Sequence, residues 1–315
     1  MASLDGRQQA LVALGEELRA AGYAFVAPTP ATQARVDRRP GNAEARSVRD
    51  VFGWSRPFRQ AVLPPRMLEL LRAAEACVPS GGLQRSTVRF STLRDRLFVH
   101  SAHPTTDADA VFFGPDTIRF AGLLERAVPR ATRLVDVGCG SGAGGLIVAD
   151  RCARVVLADV SDTALRFTAV NVALNLASLG VAEASIERVR SDVLDGVAGA
   201  FDVVIANPPY LADPLGRTYR DGGGEHGEAL SLRIVADALR RLSAGGTLVL
   251  YTGVAIVDGE DRFRREAMAL VEGAGATATY EELDPDVFGE ELETERYAAV
   301  DRIAAVALCV RARGR

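Results

Sequence analysis

Apolar residues recur at helical spacing over residues 4–21, where Leu4, Leu11, Leu14 and Leu18 share a face and Gly22 stands ready to stop the helix. Residues 28–65 lose that rhythm to Pro, Arg and short polar stretches, which predicts small helices and loops. Pro64-Pro65 opens a second periodic segment through Met67, Leu68, Leu70, Leu71 and Ala74, closed near Pro79-Ser80-Gly81-Gly82. Residues 87–91 and 96–101 alternate apolar and polar positions around a short turn and predict a β-hairpin. After residue 117 the rhythm changes. Short apolar strands at 133–137, 155–158, 186–190, 202–206 and 247–251 are interleaved with helical patterns at 146–151, 162–177, 228–242 and 261–272. Such alternation predicts a parallel sheet with helices on both faces. The last two strand-like runs, 276–283 and 303–311, have no helical pattern between them and should pair antiparallel at one edge. The expected architecture is α/β, with a doubly wound, mostly parallel seven-stranded sheet in a domain of residues 106–315. A smaller N-terminal domain of helices plus a β-hairpin, residues 1–105, should precede it.

Composition narrows the class without choosing a function. A chain of 315 residues with 48% hydrophobic and 25% charged residues is ordinary for a globular protein. The four cysteines show no metal-ligand or disulfide spacing, and no two of the three histidines lie at a helical metal spacing, so no metal is expected. Charges break up the first helix and no apolar run is long enough to span a bilayer, so no membrane association is expected and the cytoplasm is the expected location. Lysine is absent; all 37 basic residues are arginine. They are unevenly placed: residues 1–130 hold 18 Arg against 13 acids, residues 131–315 hold 19 against 28.

The first chemical constellation follows the strand at 133–137. Asp136-Val137-Gly138-Cys139-Gly140-Ser141-Gly142-Ala143-Gly144-Gly145 places five glycines in eight positions at the mouth of a helix. Glycines there permit a tight turn and close approach of a ligand to backbone N–H groups. The Gly140-x-Gly142-x-x-Gly145 register matches a dinucleotide fingerprint, so spacing alone leaves a nicotinamide cofactor and S-adenosylmethionine both open. Asp159 ends the second strand, where a carboxylate can accept both ribose hydroxyls, and Asp192 follows the third, where an adenine amino group would lie. Asp136, Gly138, Gly140, Gly142, Asp159 and Asp192 are thus the candidate cofactor residues.

The fourth strand ends in Asn207-Pro208-Pro209-Tyr210. Two prolines in succession remove two N–H donors and leave carbonyls free and rigidly aimed. An amide or exocyclic amine nitrogen is a poor nucleophile because its lone pair is delocalised. Held by the Asn207 side-chain oxygen and the Pro208 carbonyl, such a nitrogen would be oriented and its growing positive charge stabilised. Tyr210 can pack its ring on a planar substrate group. These four residues are the candidate catalytic set, with Asn207 also bordering the cofactor.

D-V-G-C-G-S-G, the strand-end Asp159 and N-P-P-Y resemble the class I S-adenosylmethionine-dependent methyltransferases, whose sheet is Rossmann-like. The combination is most similar to the release-factor glutamine N5-methyltransferases and their relatives. Phe112-Phe113-Gly114-Pro115-Asp116-Thr117 is similar to that family's R-P-D-T-E element, and Asp221-Gly222-Gly223-Gly224 resembles its D-G-G element. The resemblance implies S-adenosylmethionine as cofactor, S-adenosylhomocysteine as product, and a substrate-side role for Phe113, Pro115, Asp116 and Thr117. Gly114 stands where the family has arginine, Ile118 where it has glutamate, and residues 211–220 match nothing in the family.

Methyl transfer to a protein glutamine side chain is the first reading. An exocyclic amine of a nucleic acid (rRNA, tRNA or DNA) is the alternative, because N-P-P-Y suits both, and a small metabolite also fits. The acceptor, protein or nucleic acid, is expected to be bound partly by the N-terminal domain. Residues 35–96 carry 13 Arg against 6 acids with Phe52, Trp54, Phe58 and Phe90 interleaved. That segment reads either as a phosphate-contacting, base-stacking surface or as a solvated basic face around a small aromatic core. A nicotinamide-dependent oxidoreductase or a non-catalytic binding module would leave N-P-P-Y unexplained.

Overall fold

The computed structural model describes residues 4–105 and 107–314. Four helices open the chain: α1 (Gly6–Ala20), α2 (Pro30–Asp37), α3 (Val48–Phe52) and α4 (Pro65–Ala73). Asp5 caps α1 through the Gln8 N–H while the Gln8 side chain returns to the Asp5 N–H, a reciprocal pair that satisfies two backbone donors at that end. Two hairpins follow, β1 (Cys77–Ser80) with β2 (Leu83–Ser86), then β3 (Val88–Leu93) with β4 (Arg96–Ser101). The first hairpin was not expected. Pro79-Ser80-Gly81-Gly82 reads as a helix stop, yet Gly81 and Gly82 supply the two positive φ angles of a hairpin turn.

The rest of the chain builds the sheet: α5 (Pro115–Ala127), β5 (Ala131–Val137), α6 (Ala143–Ile147), β6 (Cys152–Asp159), α7 (Asp162–Leu179), β7 (Ile186–Arg190), β8 (Phe201–Ala206), α8 (Ala229–Arg241), β9 (Leu242–Val257), β10 (Glu260–Asp261), α9 (Arg262–Gly273), β11 (Thr277–Asp284) and β12 (Arg302–Arg311). Strand order is β11-β12-β9-β8-β5-β6-β7, with the short β10 folded back on β9. β5 to β9 run parallel, and β12 runs antiparallel to both β9 and β11. The seven-stranded, mostly parallel α/β sheet and its antiparallel tail are therefore as expected.

Along the central strands side chains alternate between the two faces. Leu134, Leu157, Val203, Ile205, Val249 and Tyr251 pack against α5, α6 and α7. Val135, Val156, Val204, Leu248 and Leu250 pack against α8 and α9. Both faces are dry, which is why these strands read as continuous apolar runs.

The N-terminal elements pack on α7. Leu11, Leu14, Leu18, Phe52, Phe58, Phe90 and Val99 form one core with Val170 and Leu174 of α7. Asn171 and Asn175 on that helix bond both the N–H and C=O groups along β4, at 2.8–3.3 Å. Phe52, Phe58 and Phe90 are fully buried. Trp54 is half-buried against Phe25, with the Arg49 and Arg56 guanidinium groups over its ring. The aromatics of the basic segment thus form a core rather than a stacking surface, and Arg56, Arg59, Arg66 and Arg94 are each paired with an acid.

Candidate active site

A cavity of about 220 Å³ opens at the carboxyl ends of β5, β6, β7 and β8. In an open α/β sheet that is where the crevice belongs, because strand order reverses between β5 and β8. The loop after β5 makes its floor. Gly138, Gly140 and Gly142 all have positive φ, and a Cβ added to Gly138 would meet nothing within 4 Å. Gly145 serves packing instead: a Cβ there would come within 2.4 Å of Leu157, so α6 can lie close on the sheet only with glycine at this place.

Asp136 is buried at the base of this loop and accepts the Gly145 N–H at 2.7 Å. Burial pushes its carboxyl up to about 7, against the pull of that N–H and with help from nearby Asp159. Asp159 accepts the Gly140 N–H with one oxygen and the Ser161 N–H with the other, both at 2.8 Å. Its carboxyl is also raised by burial, opposed by those bonds. Each of its oxygens keeps a second lone pair for a ligand hydroxyl.

These raised values fix a pH dependence of stability. From the ordinary 3.8 up to about 7, the folded chain keeps the Asp136 proton that the unfolded chain has lost. Stability therefore falls as the pH rises through that window, and Asp159 acts in the same direction. Asp136→Asn is expected to remove roughly 2–3 kcal/mol of the decline between pH 5 and pH 8, read by urea unfolding at the two pH values. Parallel stability curves for the two proteins would show that Asp136 stays ionised.

Asn207, Pro208, Pro209 and Tyr210 leave β8 along the cavity wall. Among the described residues the Asn207 side chain makes no hydrogen bond and the Pro208 carbonyl accepts none, so two acceptors on cavity-lining residues are unused. Tyr210 is held differently from the sequence expectation. Its ring is buried edge-on to Phe288, and so near Gly253 that a Cβ there would fall 2.2 Å from it. Its hydroxyl donates to Asp116 Oδ2 at 2.8 Å.

Asp116 is the hub of this wall. The Tyr251 hydroxyl donates to its other oxygen at 2.7 Å and Arg119 Nη1 reaches the same oxygen at 3.1 Å. Burial and the Asp116 carboxylate push both tyrosine hydroxyls well above their ordinary range. Asp116 and Thr117 line the cavity, whereas Phe113 stacks on His100 at 4.9 Å and Pro115 is the first residue of α5. Gly142 caps α6 behind the cavity wall. Asp192 lines the cavity but is held by both oxygens to Arg233, at 2.9 and 3.0 Å.

Several cavity residues were not singled out from sequence. Phe112 is one; a Cβ on Gly114 would lie 2.5 Å from its ring, which explains glycine at that position. The whole of α5 was missed although Ile118, Phe120, Leu123 and Leu124 recur at helical spacing. Residues 211–220 fold over the cavity. Tyr219 donates to the Thr105 carbonyl at 2.6 Å, and the Thr218 N–H and hydroxyl both reach the Ala108 carbonyl. Among the described residues no group of acids, histidines or cysteines could hold a metal, and no helix is long and apolar enough to cross a membrane.

Fold and cavity together define a Rossmann-like α/β domain with a crevice at the carboxyl ends of its central strands. Residues 119–253 match the model of the methyltransferase small domain family. Curated relatives agree. Release factor glutamine methyltransferase from Agrobacterium fabrum is 33% identical over 145 residues, 41% of this chain and 48% of that protein. The protein of the same name from Deinococcus radiodurans is 34% identical over 160 residues, 46% of this chain and 55% of that one. Ribosomal RNA small subunit methyltransferase C from Chromohalobacter salexigens is 33% identical over 122 residues, 39% of this chain and 32% of that protein. The chain spans about half the length of the release factor methyltransferases it matches. Among solved structures, Trm5b from Pyrococcus abyssi superposes with a TM-score of 0.50 at 13% identity over 75% of this chain and 62% of that one. A putative transferase from Pyrococcus horikoshii does so with 0.50 at 13% over 78% and 82%.

Proposed function

We propose that this chain is an S-adenosylmethionine-dependent methyltransferase that methylates a planar amide or amino nitrogen. The observation that carries this reading is the pair of unused acceptors, the Asn207 side chain and the Pro208 carbonyl, on residues that line a cavity floored by the glycine loop. The residues fit the cofactor: open space over Gly138 and a strand-end carboxylate at Asp159, braced by the Gly140 N–H, suit a nucleoside with a free ribose. When bound, S-adenosylmethionine supplies an electrophilic methyl group on a sulfonium. Asn207 and Pro208 then orient an acceptor N–H pair and stabilise charge as it grows on the nitrogen, while the buried wall of Tyr210 and Leu211 excludes water. No base is required before transfer, because the proton can leave afterwards.

A protein glutamine amide is the acceptor this reading favours, supported by the names of the relatives and by N-P-P-Y. A nucleic-acid exocyclic amine is the second reading, supported by the ribosomal RNA relative. The N-terminal elements, residues 1–105, and the substrate-side Asp116 and Thr117 would shape the acceptor's approach. The deciding experiment is transfer of label from tritiated S-adenosylmethionine to cell extract treated with protease or with nuclease. Loss of label with protease alone supports the glutamine reading, loss with nuclease alone supports the second, and no labelled macromolecule in either removes both.

Asp159→Ala is expected to weaken S-adenosylhomocysteine binding by about 1–3 kcal/mol in titration calorimetry. Both ribose contacts would go, together with the anchors of Gly140 and Ser161. Unchanged affinity would reduce Asp159 to a loop brace.

A further inference from the structure

Beside the first cavity lies a second, of about 160 Å³, between the N-terminal elements and the loop that follows Tyr210. Phe112, Tyr219 and Arg220 line both, where the two cavities adjoin. Arg89 reaches the second cavity from β3 and is only 5% exposed. Its Nε donates to the Gly53 carbonyl and its Nη2 to Gln33 Oε1 at 2.7 Å, two neutral acceptors. Among the described residues Nη1 donates to nothing, and no carboxylate lies within ion-pair distance of this guanidinium. Asp37 comes nearest in effect, but it touches Gln33 at 2.8 Å and faces Arg56 at 3.7 Å.

The other arginines that line the cavity are already paired with acids. Arg217 is chelated by Asp213 at 2.6 and 2.8 Å, and Arg220 is paired with Glu291. His100 meets the Ser101 carbonyl with Nδ1 and Ser91 Oγ with Nε2, and burial beside Arg89 keeps it neutral. His103 is lowered for the same reasons. Arg89 is left as the buried cation lining this cavity without a direct acid partner among the described residues. Asp37 is reached only through Gln33, and Arg85 nearby spends its Nη2 on the His103 carbonyl at 2.7 Å. A buried charge is costly until it is paired.

We infer that this second cavity seats a carboxylate of the methyl acceptor, held by Arg89 while the acceptor's nitrogen lies against Asn207. The inference rests on the methyl-transfer reading above and narrows its substrate to an amide-bearing acceptor with a carboxylate within reach. A carboxylate matches both the single charge and the planar fork of arginine. A phosphate monoester carries about −1.5 to −2 and exceeds that charge, and a phosphodiester would bring a nucleoside on each side into a cavity of this size.

The test uses the full chain saturated with S-adenosylhomocysteine and titrated with sodium acetate, its neutral isostere acetamide, and inorganic phosphate. The single tryptophan, Trp54, adjoins Gly53, whose carbonyl Arg89 holds, and serves as the fluorescent reporter. Acetate is expected to bind saturably and about tenfold more tightly than acetamide, the effect of one charge-assisted pair. Arg89→Gln should abolish that preference and leave S-adenosylhomocysteine affinity within about twofold, while Arg89→Lys keeps part of it. Equal binding of acetate and acetamide, or phosphate binding more tightly than acetate, would overturn the assignment in the wild-type protein whether or not Arg89→Gln folds. Failure to bind S-adenosylhomocysteine would instead strike the methyl-transfer reading, and the acetate arm run without it would still report on the cavity.

Discussion

Replacing Asn207 with alanine is expected to lower the single-turnover rate of methyl transfer by roughly 10²–10³-fold, the scale seen when one preorganised polar group at a developing charge is removed. Fold and cofactor affinity should survive. The Asn207 side chain holds nothing else among the described residues, and the glycine loop and Asp159 lie on other strands. The loss should fall on the transfer step at saturating cofactor and acceptor rather than on either binding constant. Asn207→Asp keeps an acceptor oxygen and should retain more activity than Asn207→Ala. A wild-type rate in Asn207→Ala would make the Asn-Pro-Pro turn a structural exit from β8 and remove the main support for a nitrogen acceptor.

Asp116→Ala should be the most destabilising change in the cavity wall, by about 3–5 kcal/mol in urea unfolding, because it leaves a buried network without its shared acceptor. Asp116 is 5% exposed, and both the Tyr210 and Tyr251 hydroxyls point at it with Arg119 alongside. Removing the carboxylate strands two buried O–H donors and one arm of the Arg119 pair. Arg119 keeps its second partner, Asp284 at 2.7 Å, so the damage centres on the tyrosines. Asp116→Asn retains one oxygen and should recover part of the loss. A change under about 1 kcal/mol for Asp116→Ala would show that water replaces the carboxylate and that Tyr210 is held by packing alone.

What the chain betrayed in advance follows from the physics of each signal. Strands of the sheet were legible because both faces are buried, so β5, β6, β8 and β9 read as apolar runs between glycine and proline punctuation. The glycine loop and Asn207-Pro208-Pro209-Tyr210 were legible because their chemistry is local in sequence. Helix α5 was less legible because it opens on Gly114-Pro115, a pair that reads as a turn, and has no side-chain cap to mark its start. The Asp116–Tyr210–Tyr251 contacts join residues 94 and 135 positions apart and leave no trace in spacing. The second cavity was hidden for the same reason: Arg89 looked like one of many basic residues until its neighbours were seen to be neutral.

The reversed strand β12 also orders events during synthesis. It lies between β9 and β11, bonded to both along most of its length. Until residues 302–311 have left the ribosome, β11 has no neighbour to join, and β9, which carries Tyr251 against Asp116, is an open edge. The wall behind Tyr210 is thus sealed only by residues translated after every parallel strand of the sheet. The nascent chain can own its glycine loop and its Asn-Pro-Pro turn well before it owns a finished pocket.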